Sequence, residues 1–82
     1  MRIYVSNLPE NANETALRRA FEAHGLVDSV AFSRDKLSRE WRAVIDMPEE
    51  ATARKAIDAM NGRDFGGRNL FVSESRPEDA II

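Results

Sequence analysis

The chain is 82 residues long, 43% hydrophobic and 32% charged, a balance that suits one domain with one core and excludes a disordered chain. Without a cysteine it has no disulfide, thiolate metal site or cysteine nucleophile, and its single histidine leaves little material for zinc binding or acid–base catalysis. Twelve Lys and Arg against 14 Asp and Glu give a formal net charge of −2, which argues against a surface built wholly to grip a polyanion.

Arg2-Ile3-Tyr4-Val5-Ser6 alternates polar and apolar residues and runs into the turn signal Asn7-Leu8-Pro9, so a strand is predicted over 2–6. Asn13 is a good N-cap with Glu14 in the first turn. Leu17, Ala20, Phe21 and His24 then recur at helical spacing, and Gly25 stands where a left-handed residue would close a helix over 14–24. His24, at that end, is expected to cap carbonyls. Leu26, Val30 and Phe32 share one parity against Ala31 and Ser33, which predicts a second strand over 27–33. Residues 34–40 are charged and aperiodic, a loop. Ala43, Ile45 and Met47 alternate with Arg42, Val44 and Asp46 as in a half-buried strand.

Pro48 is expected at the first position of a second helix over 49–60, with Glu49 and Glu50 in its first turn and Ala53, Ala56, Ile57 and Met60 on one face. Asn61-Gly62 ends it. Gly66-Gly67 makes a hairpin turn, with no Gly-Lys-Ser/Thr to suggest a phosphate loop, and Leu70 and Val72 mark a last strand over 69–74. The order βαββαβ is an α+β, ferredoxin-like arrangement: a four-stranded antiparallel sheet with two helices on one face. One domain is expected over 1–76, followed by a tail over 77–82. No apolar run approaches the ~20 residues of a membrane span. Met1 leads directly into strand-like sequence, so no membrane association and a cytoplasmic location are expected.

Ile3-Tyr4-Val5-Ser6-Asn7-Leu8 resembles, position for position, the six-residue ribonucleoprotein motif on the first strand of the RNA recognition motif (RRM). Ala53 to Gly62 and Gly67-Arg68-Asn69-Leu70-Phe71-Val72 resemble the end of the same domain. A chain that begins at Met1 and closes Glu74-Ser75-Arg76-Pro77 is similar to the small single-RRM proteins of bacteria. The third-strand motif departs from the family pattern. Aligned as Glu40-Trp41-Arg42-Ala43-Val44-Ile45-Asp46-Met47, it has Arg42 and Val44 where the family carries two surface aromatics, and Trp41 where glycine is expected.

The resemblance implies single-stranded RNA binding and post-transcriptional regulation, with bases stacking on the open sheet and basic groups on phosphates. It implies no enzymatic activity, no cofactor and no metal. Alternation sends Arg2, Tyr4, Ser6, Ala31, Ser33, Arg42, Val44, Asp46, Phe71 and Ser73 outward. Tyr4 and Phe71 are the expected stacking rings, with Phe71 expected between Tyr4 and Arg42. Arg42, Arg2, Val44, Ser73, Arg34, Lys36, Arg39 and Arg76 complete the expected RNA contacts. Trp41 is expected to hold the 34–40 loop over the rim of the core. Acids collect on the helices, at Glu14, Glu22, Glu49, Glu50 and Asp58, so the sheet side is expected to be mildly positive despite the net charge.

A second reading is a module that binds a peptide or protein partner. Arg63-Asp64-Phe65 resembles the Arg-x-Phe loop of RRM variants that hold a peptide tryptophan between their helices. The chain is expected to be a monomer or a weak dimer, the latter through Val44, Phe71, Ile81 and Ile82.

Overall fold

A computed structural model describes residues 1–34, 36–37 and 40–74. Along them run β1 (Arg2–Ser6), α1 (Glu14–Glu22), β2 (Ser29–Arg34), β3 (Trp41–Asp46), α2 (Glu50–Met60), β4 (Asp64–Phe65), β5 (Arg68–Asn69) and β6 (Phe71–Glu74). Strands β2, β3, β1 and β6 form an antiparallel sheet in that order, and β4 pairs with β5 in a separate short hairpin. This is the α+β, ferredoxin-like fold that the sequence predicts.

The period of two along each strand decides which face is covered. Ile3 and Val5 of β1, Ala43 and Ile45 of β3, and Leu70 and Val72 at β6 are buried. They form one core with Leu17 and Phe21 of α1 and with Ala53, Ala56 and Met60 of α2. Met47, continuing the apolar parity of β3, is also fully buried. Among the described residues, no buried side-chain nitrogen or oxygen lacks a hydrogen-bond partner, as a well-formed core requires.

Local chemistry sets the helix ends. Asn13 has an extended backbone, and its Oδ1 accepts the Ala16 N–H at 2.8 Å, satisfying one of the orphan amides of α1. The helix ends at Glu22, not at 24, because its last turn tightens. The His24 N–H donates to Phe21 O at 3.0 Å and the Gly25 N–H to Glu22 O at 3.3 Å, both with the shorter 3₁₀ spacing. The His24 ring makes no hydrogen bond among the described residues, so the expected carbonyl cap comes from backbone alone.

Gly25 is not left-handed; positive φ occurs at Asn7, Gly62, Gly66 and Gly67 among the described residues. Its glycine is required for space. A Cβ there would lie 2.6 Å from both Cβ and Oγ1 of Thr52, so the end of α1 presses against the first turn of α2. That turn begins one residue late, with Glu49 as an extended N-cap and Pro48 ahead of it.

Two strands also differ from expectation. β2 starts at Ser29, and the parity expected from Leu26 fails: Leu26 is 69% exposed while Val27 is buried. Residues 26–28 lie outside the ladder, so strand alternation does not govern them. The predicted strand over 69–74 is divided at Leu70. Arg68-Asn69 pairs with Asp64-Phe65 across Gly66-Gly67, whose φ of +61° and +97° belong to a primed two-residue turn. Leu70 is the buried corner, donating its N–H to Arg63 O at 3.0 Å and accepting the Gly62 N–H at 2.8 Å.

Gly25→Ala is therefore expected to destabilise the domain by about 1–3 kcal/mol through overpacking. Phe21→Ala, which empties the largest fully buried position, is expected to cost about 3–5 kcal/mol. Urea unfolding followed by circular dichroism checks both. An unchanged midpoint for Gly25→Ala would remove the Thr52 contact as a constraint.

Candidate nucleic-acid interface

The face left uncovered by the helices is a grid set by the strand registers. Its middle row runs Ala31, Val44, Tyr4, Ser73, because Tyr4 lies opposite Val44 on one side and Ser73 on the other, and Val44 lies opposite Ala31. One end of the sheet carries the pairs Ser33–Arg42 and Ser6–Phe71. The other end carries Arg2, Asp46 and Ser29. Tyr4 is 37% and Phe71 64% exposed, an unusual outlay of aromatic surface on so small a sheet.

The registers correct one expected neighbourhood. Phe71 is not flanked by Arg42. β6 is an edge strand beside β1, with β3 on the far side of β1, so Phe71 opposes Ser6. Tyr4 lies diagonally from it, ~7–8 Å away by backbone spacing and within reach of an aromatic ring. The aromatic surface thus occupies the β1–β6 half of the sheet. The β3–β2 half offers Val44, Ala31, Ser33 and Ser29, with Arg42 exposed at its end.

The basic residues divide between the two faces. Arg2 and Arg42 share the open face with Tyr4. Lys36 is exposed in the β2–β3 connection. Arg34 has the parity of Val30 and Phe32 and lies on the helix side. Its guanidinium carbon is 5.3 Å from the Trp41 ring centroid and its Nη2 donates to Glu10 Oε1 at 3.3 Å. Trp41 packs edge-on against Phe32, with centroids 6.2 Å apart, and lies half-buried at the rim of the core. Arg39 and Arg76, together with Ile81 and Ile82, fall outside the described residues.

Three features of the site escape a reading of residue types alone. Asn7 has φ +60°, a left-handed conformation that asparagine tolerates, and its Nδ2 donates to Asn69 O at 2.7 Å. Asn61 Oδ1 accepts the Val72 N–H at 3.0 Å. On the helix side, a groove of about 390 Å³ opens between α1 and the β4–β5 hairpin, lined by Ala20, Ala23, His24, Met60, Arg63, Asp64 and Phe65. Spacing and parity carry no information about the first two, because both bonds join residues far apart in sequence. The Arg63-Asp64-Phe65 stretch is the one signal of the groove.

Comparison with known proteins places this geometry. A family model described as RNA recognition motif matches residues 3–70. RbpD of Nostoc sp. is 33% identical over 81 residues, an alignment spanning 96% of this chain and 86% of RbpD. The crystal structure of RNA Binding Protein PG1 superposes with a TM-score of 0.82 at 32% identity, covering 94% of this chain and 98% of PG1. Sex-lethal RNA recognition domains 1 and 2 from Drosophila melanogaster give a TM-score of 0.81 at 28% identity, over 94% of this chain and 50% of theirs. With the family match running from the first strand to the corner at Leu70, the chain belongs to the RNA recognition motif family.

Proposed function

We propose that the open face of the sheet binds single-stranded RNA, with Tyr4 and Phe71 stacking on bases and Arg2 and Arg42 holding phosphates. Val44 and Ser73 line the floor on either side of Tyr4, and Lys36 reaches in from the hairpin. Arg39 and Arg76 are further candidate phosphate contacts. Arg34 is left out of the set, being engaged with Trp41 and Glu10 on the opposite face.

The observation that carries this reading is the pair of exposed rings on the uncovered face. Water gives an exposed Phe no favourable contact, whereas an unpaired base offers a π-face to either ring. Family membership supports it, as does similarity to PG1, a protein described as RNA-binding. Binding of this kind joins a stacking component that is indifferent to salt with a phosphate component that releases counterions.

A second reading has an observation of its own. The groove beside Arg63-Asp64-Phe65 has an apolar floor in Ala20, Ala23 and Met60 and charges of both signs at its rim. A peptide carrying one aromatic side chain fits that chemistry. It lies on the helix side and does not compete for the open face.

Tyr4→Ala and Phe71→Ala are each expected to weaken binding to short single-stranded RNA by about 1–3 kcal/mol, and Tyr4→Phe to preserve it, as read by fluorescence anisotropy. Phe71→Ala should leave thermal stability nearly unchanged, since its ring is mostly in water. Unaltered affinity in both alanine variants would sink the RNA reading. The salt dependence should be modest: with Arg2, Lys36 and Arg42 each contributing ~0.7, the slope of log K against log salt is about −2, steepening to about −3.5 where Arg39 and Arg76 also contact phosphate, and Arg42→Gln should lower it by ~0.7. If a tryptophan-bearing peptide shifts the amides of Arg63 and Phe65 while RNA shifts none on the sheet, the second reading replaces the first.

A further inference from the structure

Resting on the RNA reading, we propose a narrower description of the site: it stacks two bases, on the diagonal from Tyr4 to Phe71, and holds a third base position beside Val44 that lacks a ring. The platform of this chain is displaced toward the β6 edge relative to the third-strand aromatics that the family pattern would supply.

Phe71 qualifies as a platform because its backbone is fixed on both sides. Leu70, before it, is fully buried and tied to Arg63 and Gly62 by two backbone hydrogen bonds. Val72, after it, is buried opposite Val5 and donates its N–H to Asn61 Oδ1 at 3.0 Å. One residue earlier than Leu70, Asn69 O accepts from Asn7 Nδ2 at 2.7 Å. An edge strand of four residues, tied at Val72 and at Asn69 and Leu70 just before it begins, resists fraying. Its outward ring is presented in place, and a base meeting it loses little protein entropy. Asn7 acts here as a positioning residue, spending a left-handed backbone to tie the chain ahead of Phe71.

The other half of the sheet has no comparable surface. Val44 stands in the middle row next to Tyr4, with Ala31 beyond it. A Val offers branched methyls and Ala one methyl; neither gives a base a planar partner. A nucleotide over Val44 is held by its phosphate or not at all. The footprint is therefore short, and lengthening an oligonucleotide beyond two stacked bases adds charge contacts without adding stacking.

A chemical-shift titration tests this with oligoadenylates of two to eight nucleotides at high salt, where phosphate contacts are suppressed. Affinity per pair of adjacent bases is expected to level off by the trinucleotide, with shifts centred on Tyr4, Phe71 and Ser73. Phe71→Ala should weaken dinucleotide binding by about 5- to 150-fold. Val44→Phe should strengthen binding of the trinucleotide and longer chains by a similar factor and the dinucleotide far less, since beside Tyr4 the new ring gives two bases only a second pair of rings to occupy. Val44→Tyr repeats that arm with a more soluble ring, and both substitutions point to solvent, away from the core. Affinity that climbs faster than the number of adjacent-base registers up to eight nucleotides at high salt, or a Val44→Phe variant that gains nothing on longer chains, overturns the two-base footprint while leaving RNA binding intact. No binding at any length overturns both statements.

Discussion

Strand β1 is paired on both sides, and the rest of the molecule follows from that double register. Val5 faces Ala43 on β3 and Val72 on β6; Tyr4 faces Val44 and Ser73; Ile3 faces Ile45 and Glu74. Because side chains alternate, burying Ile3 and Val5 forces Arg2, Tyr4 and Ser6 to the other face. A slip of one residue would place Tyr4 under the helices and both aliphatic residues in water, an outcome the core strongly disfavours. The hydrophobic energy that stabilises the fold is the same energy that presents Tyr4 outward. Stability and site are two consequences of one register.

The edge next to β1 is managed by side chains that already have other work. Asn61 is the C-cap of α2, and its amide oxygen also takes the N–H of Val72 on the sheet edge. An exposed edge N–H is an invitation to pair with another chain, so this bond blunts the edge while fixing the strand. Asn7 ends β1 and reaches Asn69 in the hairpin. The β4–β5 hairpin is therefore a strut more than an ornament: with Leu70 as its corner, it delivers the chain to β6 at a set height and angle.

The alternation of β1 and β3, the Asn13 cap, the Asn61-Gly62 stop and the Gly66-Gly67 turn were all legible in the sequence, because each depends on residues within a few positions of one another. What the sequence hid depends on partners distant along the chain. Gly25 reads as a left-handed cap, yet its reason is Thr52, which the chain leaving α1 meets on the first turn of α2. Arg34 reads as one more cation of a basic hairpin, yet one residue of parity turns it to Trp41 and Glu10. Leu26 has strand spacing without a strand, since the ladder to β3 begins only at Ser29, after a single bond from the Asp28 N–H to Asp46 O at 2.7 Å. For the site, which residues face outward was readable, but which stand side by side was not: Phe71 and Arg42 share a face with all of β1 between them.

The negative net charge also takes on a different meaning once the charges have positions. On the helix side two of the cations are already answered, Arg54 by Glu50 at 3.0 Å and Arg18 by Glu22 at 3.5 Å. The shortest dimension of the molecule is 20 Å, about twice the ~8–10 Å over which salt screens charge in physiological conditions. The acids of the helices thus weigh little on the open face, which sees mainly Arg2, Arg42 and Asp46. In the proposed mode such a face attracts phosphate weakly and depends on stacking for most of its hold. A double helix, paired or hybrid, presents many phosphates but keeps its bases stacked on one another. It offers this surface the component it uses least and withholds the one it uses most. Preference for unpaired nucleic acid then needs no contact that reads strandedness directly. In the proposed mode it would follow from a surface poor in cations and provided with two fixed rings.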